Sequence, residues 1–159
     1  MKESGGLVMY RHRSCLEVLL VHPGGPYYVN LDDVWSIPKG MPNKDEDLLS
    51  AARREFQEET GFSAPPPKYP PAEYLTLGAV RQTNKLVHAW AFEGSVDPTT
   101  LVSNTFELEW PPRSGRRHFF PEVDRCDFFT LEAARPKIVA AQMELLERLA
   151  REVGSPRQK

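Results

Sequence analysis

The run Gly40-Met41-Pro42-Asn43-Lys44-Asp45-Glu46-Asp47-Leu48-Leu49-Ser50-Ala51-Ala52-Arg53-Arg54-Glu55-Phe56-Gln57-Glu58-Glu59-Thr60-Gly61-Phe62 decides how this chain is read. Asn43 can cap a helix and Glu46, three residues on, can complete a capping box, so the spacing predicts a helix from Asn43 to about Thr60. Gly61 then supplies the left-handed position after its end. At about 100° per residue with Glu55 as zero, Glu58 falls near −60° and Glu59 near +40°, while Leu48, Ala52, Phe56 and Leu49 fall between about +20° and +120°. The acidic face therefore overlaps the apolar stripe, whereas an ordinary surface helix sets its carboxylates opposite the core. Like charges at this spacing repel by about 0.2–0.5 kcal/mol per pair in water, and more once turned inward. Hard divalent cations relieve that cost, and oxygen-only ligands select Mg²⁺ or Mn²⁺ over zinc. Arg54, one turn before Glu58, can hold that carboxylate in orientation. An isolated Glu-x-x-Glu-Glu is more often a solvated face, so the weight rests on the whole run.

Around this helix the pattern alternates between strands and turns. Gly6 to Arg11 and Leu16 to Val21 read as a hairpin across the polar Arg11 to Ser14, and Leu75 to Arg81 and Leu86 to Glu93 as a second pair around Gln82-Thr83-Asn84-Lys85. Ala64 to Pro71 holds five prolines and reads as an extended connector. Residues 97–121 show weak periodicity and carry Arg113, Arg116 and Arg117, which predicts a long substrate or lid loop. Arg125 to Phe129 reads as a last strand. Leu131 to Val153 reads as a C-terminal helix, interrupted near Pro136, with Ile138, Ala141, Leu145, Leu146 and Leu149 as its apolar stripe. Strands, helix, strands, helix suit an α/β fold with a mixed sheet covered on both faces, in a single domain over residues 1–159.

Composition narrows the function. Twenty Lys plus Arg against 22 Asp plus Glu give a net charge of −2, which removes the usual electrostatic reason to expect a nucleic-acid polymer or an anionic membrane as partner. Neither a long apolar run nor a signal-peptide pattern is present, so a cytoplasmic protein, monomer or homodimer, is expected. Cys15 and Cys126 are too few and too far apart for a disulfide framework or a zinc site, and read as buried free thiols.

From Gly40 to Phe62 the chain runs Gly40, five residues, Glu46, seven residues, Arg54-Glu55-Phe56, one residue, Glu58-Glu59, one residue, Gly61-Phe62. This resembles the Nudix box, with every specified position filled. The resemblance implies an α/β/α sandwich with a mixed sheet and a loop-helix-loop catalytic motif. It further implies a Mg²⁺-dependent hydrolase (Mn²⁺ possible) that cleaves nucleoside diphosphates linked to a further group, by metal-activated attack of water on phosphorus. Glu55, Glu58 and Glu59 would be metal ligands, with the Gly40 carbonyl a further one and Arg54 in the catalytic set. Nudix enzymes commonly add a glutamate beyond the box as base or ligand; Glu122 is the candidate here, with Glu107 and Glu109 as rivals. Lys39 could pair with a substrate phosphate, and Arg113, Arg116 and Arg117 with a polyphosphate chain. Trp35-Ser36-Ile37-Pro38-Lys39-Gly40 looks like the segment found in dinucleoside polyphosphate hydrolases and some MutT-type enzymes. The tyrosine that often accompanies the former class is missing from residues 78–80, and Leu77 stands where many ADP-ribose hydrolases have proline. The expected substrate is thus a small nucleotide, a dinucleoside polyphosphate or a modified nucleoside triphosphate. The alternative is a non-catalytic nucleotide-binding regulatory module on the same fold. Tyr27, Tyr28, Phe106 and Trp110 are aromatics able to stack on a base, with nothing to select among them.

Overall fold

The computed structural model describes residues 1–66 and 74–154. Strand β1 (Lys2–His12) is its axis, with seven consecutive buried residues from Ser4 to Tyr10. Such a run belongs to a strand covered on both faces. The sheet order is β4 (Leu75–Gln82), β5 (Lys85–Glu93), β1, β2 (Leu16–Pro23), β8 (Val123–Thr130). β1 and β5 run parallel from Lys2↔Lys85 to Tyr10↔Glu93, and the other pairings are antiparallel, so the sheet is mixed as expected.

Side-chain alternation sorts the core into two halves. Leu7, Met9, Leu19 and Val21 face helix α1 (Leu48–Thr60), where Ala52 and Phe56 are fully buried. Val8, Tyr10, Val18 and Leu20 face the C-terminal helices, against Ile138, Leu145, Leu146 and Leu149. Helix α1 sits so close to β1 that a Cβ on Gly5 would lie 2.2 Å from the Leu48 carbonyl oxygen.

β1 and β2 pair only at Tyr10–His12 and then diverge. Residues 35–40 fill the wedge: Ser36 bridges to Val21, Leu7 N–H donates to Pro38 O at 3.1 Å, and the short β3 (Lys39–Gly40) pairs with Gly5 and Gly6. The start of the site-bearing segment is thereby tied to the centre of the sheet.

Four expectations need correction. The helix begins at Asp47, which caps it by accepting the Ser50 N–H, and not at Asn43. Asn43 N–H does donate to Glu46 Oε1 at 2.8 Å, but Asp45 lies at φ 65°, which ends that turn before a helix can propagate. Residues 97–121 are not a plain loop: after a 3₁₀ turn at Pro98–Thr100 they form a hairpin of β6 (Thr105–Glu109) and β7 (Arg117–Pro121), whose alternation is masked in sequence by charges on both strands. The C-terminal helix expected over 131–153 is broken into α2 (Leu131–Ala134), a 3₁₀ turn at Ala140–Gln142 and α3 (Met143–Val153), since Pro136 stops α2 and Val139 is extended. Cys15 is exposed in the β1–β2 turn, while Cys126 is buried on β8 as expected. The proline-rich connector at 64–71 lies largely outside the described residues. Among the described residues, no helix is long and apolar enough to cross a membrane.

Candidate active site

Helix α1 delivers its carboxylates as the angular reading required. Glu58 keeps 36% of its side-chain exposure, Glu55 keeps 17%, and Glu59, between the angular positions of Leu48 and Ala52, is withdrawn most deeply. Gly61, at φ 80°, terminates the helix with its N–H on Gln57 O, and a Cβ there would lie 2.8 Å from Val102 O.

Arg54 organises the outer side of the cluster. Its Nε and Nη2 each lie 3.0 Å from the Glu46 carboxylate, Nη1 lies 3.1 Å from both Glu55 and Glu58, and Nη2 also donates to Met41 O. Glu46 therefore does more than cap: with Asn43 N–H and Arg54 it locks the loop onto the helix. The Glu55 carboxylate lies flat against Gly40, where a Cβ would come within 2.1 Å of Glu55 Cδ. Glycine at 40 is thus a space requirement of Glu55.

The electrostatics are those of a site short of positive charge. Burial, then the charge of Glu55, pushes Glu59 up to about 9, against the pull of the Lys39 ammonium and the Lys39 backbone N–H. Glu55 is raised by burial, with Arg54 opposing and Glu58 and Glu122 adding. Glu122 is raised by partial burial and by Glu58. Lys39 is lowered to about 8 by burial and by Lys85 beside it, with Glu59 and Glu55 opposing.

Lys39, Glu59 and Glu122 share one pocket of about 310 Å³, whose other walls include Tyr28, Val34, Gln82 and Val139. Glu122, the candidate beyond the box, is held between β7 and β8 by its backbone, with its N–H on Asn104 O and its carbonyl accepting from Gly24. Asn104 N–H donates in turn to Glu58 O, tying the hairpin base to the end of α1. The rivals are engaged elsewhere: Glu107 pairs with Arg117 at 3.3 Å and Glu109 accepts Gly115 N–H at 2.7 Å. Neither lines the pocket, and nor do Arg113, Arg116 or Arg117, which are exposed on the hairpin. Of the four aromatics, Tyr28 lines the pocket, while Tyr27 packs edge-on against Trp110 and Phe106 lies tilted against Phe120. The loop carrying Tyr28 is anchored by fully buried His22, whose Nε2 lies 2.6 Å from Leu31 O and whose Nδ1 lies 2.8 Å from Asp124 Oδ1. Tyr28 was one of four equal candidates in sequence, and Gln82, Val34 and Val139 gave no signal there, since only the folded topology brings them together.

The ligand chemistry suits a hard divalent cation: carboxylate oxygens only, in one another's field, one of them forced to keep its proton at neutral pH. As placed, no three acidic, His or Cys side chains among the described residues close around a common point, while Arg54 holds both Glu55 and Glu58. Arg54 engages Glu55 Oε2 and Glu58 Oε1, so the second oxygen of each carboxylate carries no Arg54 contact and is the one available to a cation.

Comparison with known proteins agrees with this architecture. The curated Nudix hydrolase 7 of Arabidopsis thaliana is 30% identical over 84 residues, covering 53% of this chain and 26% of that protein. The mRNA-decapping protein g5R of African swine fever virus is 57% identical over 30 residues, 19% of this chain and 12% of that protein. The matched segments thus span about a quarter or less of these relatives' own lengths. The solved structure of a Caenorhabditis elegans Ap4A hydrolase binary complex superposes with a TM-score of 0.64 at 19% identity, covering 96% of this chain and 98% of that one, which shows a shared fold. The profile of the NUDIX domain matches residues 4–149, and the chain belongs to the NUDIX domain family.

Proposed function

We propose that this protein is a divalent-metal-dependent pyrophosphohydrolase acting on a nucleoside diphosphate linked to a further group, with dinucleoside polyphosphates or modified nucleoside triphosphates as its substrates. The observation that carries this reading is the convergence of Glu59, Glu122 and Lys39 in one pocket beside Glu55 and Glu58. Glu55, Glu58 and Glu59 are the residues that would hold Mg²⁺ or Mn²⁺, with the Gly40 carbonyl and Glu122 as further ligands. When bound, such an ion acidifies water and offsets the charge that builds on phosphate oxygens. The chain's own residues do the remaining work. Glu122, exposed in the pocket lining, would take the proton of the attacking water. Lys39 meets a phosphate oxygen as a point charge where burial strengthens the contact. Arg54 turns Glu58 toward the site and limits repulsion among the carboxylates.

The test is product analysis with Mg²⁺ on a panel of dinucleoside polyphosphates, nucleoside triphosphates and ADP-ribose. Turnover of one class, lost by at least about a hundredfold in Glu58→Gln with the fold intact, is the expected result. Turnover equal to wild type in both Glu58→Gln and Glu59→Gln would overturn the reading. A second reading, nucleotide binding without hydrolysis, is favoured by one observation, the Arg54 contacts that occupy Glu55 and Glu58. Binding by calorimetry with no product from any substrate would select it.

A further inference from the structure

Beneath the pocket lies a polar chain whose orientation has a single solution. Gln142 is fully buried. Ile37 N–H points at its side chain at 2.9 Å, and because a backbone N–H can only donate, the atom facing it is Gln142 Oε1. Gln142 Nε2 must then donate, to Ser36 Oγ at 3.1 Å and to Gln82 Oε1 at 2.9 Å. Turning Gln142 over would set its amide nitrogen against Ile37 N–H; turning Gln82 over would set two amide nitrogens together. Gln82 lines the pocket, and with its oxygen committed to Gln142 it offers the pocket its amide nitrogen, a donor and not an acceptor. Among the described residues, no hydrogen bond from that nitrogen to the protein is formed. Tyr28, Val34 and Val139 add one aromatic and two apolar side chains to the lining, and Glu59, Glu122 and Lys39 add ionisable ones. A flat ring with polar edges, attached to an anionic chain that a cation and Lys39 would meet, fits that lining.

We propose that this pocket seats the nucleobase and that Gln82, oriented by Gln142, selects a base whose edge presents a carbonyl oxygen over one presenting an amino group. A 6-oxopurine or 4-oxopyrimidine gives the Gln82 N–H its acceptor. An amino group there sets donor against donor and leaves both unpaired, which is costly away from water. Gln142 is a positioning residue: it touches no substrate and acts by fixing which atom Gln82 turns to the pocket. This inference rests on the nucleotide reading above and narrows it to a substrate class.

The experiment compares binding of the non-hydrolysable α,β-methylene diphosphates of inosine and adenosine, which present a 6-oxo group beside N1–H and a 6-amino group beside a bare N1, to the full chain with Mg²⁺ by calorimetry. The expected result is inosine tighter by about tenfold. In Gln82→Glu the second carboxylate oxygen becomes an acceptor and the preference should invert, while Gln82→Met should bring the ratio close to one. Gln142→Leu, which frees Gln82 to rotate, should also flatten the ratio, a readout that loss of packing alone would not move. Equal wild-type affinities, no binding of either nucleotide, or a ratio unchanged in Gln82→Glu each overturn the proposal. The wild-type ratio stands even if a variant fails to fold. An oxo-base preference with no hydrolysis of any substrate defeats the enzymatic reading alone, and hydrolysis without base preference defeats this one alone.

Discussion

Replacing Glu59 by glutamine should leave the metal-free protein at least as stable as wild type at pH 8 while removing its response to Mg²⁺. Burial and the charge of Glu55 place the folded value of Glu59 at about 9, from an ordinary 4.5. A group raised on folding stabilises fully below its unfolded value, and that contribution fades as pH rises toward the folded one. Wild type should therefore lose up to about 1.4 kcal/mol per pH unit, or about 4 kcal/mol between pH 5 and 8. For a chain of this size that is a fall in Tm on the order of 10 °C. Glutamine keeps the shape of the protonated carboxyl and has nothing to lose, so its profile should be the flatter one. Lys39, lowered to about 8, titrates only at the top of this window and in the opposite sense, adding stability as pH rises toward its unfolded value. Adding Mg²⁺ should raise the wild-type Tm by mass action, more at pH 8 than at pH 6 because the ion replaces a proton, and should do far less for the variant. Thermal unfolding at four pH values with and without Mg²⁺ checks all of this. Parallel pH profiles for the two proteins would refute the reasoning.

Further outcomes follow from single contacts. Gly40→Ala, whose new methyl would collide with Glu55 Cδ, should cut activity by tenfold or more with Tm little changed, read by steady-state kinetics beside thermal melts. Arg54→Met removes a cation shared by Glu46, Glu55 and Glu58 and should lower kcat by about ten- to a hundredfold, with an increased requirement for Mg²⁺ in a metal titration. Phe56→Ala, at a fully buried ring packed edge-on against Phe92, should destabilise by about 3–5 kcal/mol in urea melts. Alanine at Arg113, Arg116 and Arg117 together should raise KM only for substrates whose phosphate chain is long enough to reach the hairpin; an equal rise for nucleoside triphosphates would show that the hairpin folds over the pocket.

Much of the architecture was legible because β1 and β2 carry short apolar runs bounded by polar turns and α1 carries the helical period, and burial follows both. Angular bookkeeping on α1 indicated that its acidic face overlaps the apolar stripe, and Glu59, between Leu48 and Ala52 in angle, is the most withdrawn of the three. What escaped was set by partners distant in sequence. Only half of the expected capping box forms: Asn43 N–H donates to Glu46 Oε1, while Glu46 N–H goes to the Asn43 backbone carbonyl; Glu46 is drawn to Arg54, eight residues on, and the helix waits for Asp47. The β6–β7 hairpin is hard to see because both its faces are wet, so no apolar alternation marks it. Gln82 and Gln142 are ordinary polar residues in the sequence; their meaning depends on Ile37, which reaches them only when the wedge between β1 and β2 is filled.

The parallel alignment of β1 with β5 has a consequence for how the molecule is made. Its first rung joins positions 2 and 85, so the central strand emerges from a ribosome long before this neighbour exists. Until then one of its long edges has no strand beside it, with β2, β3 and α1 as its earlier partners, and the loop to be closed is among the costliest a small domain presents. Slow assembly and a demand for chaperone shelter during synthesis are the natural counterpart of an axis laid down first and completed late.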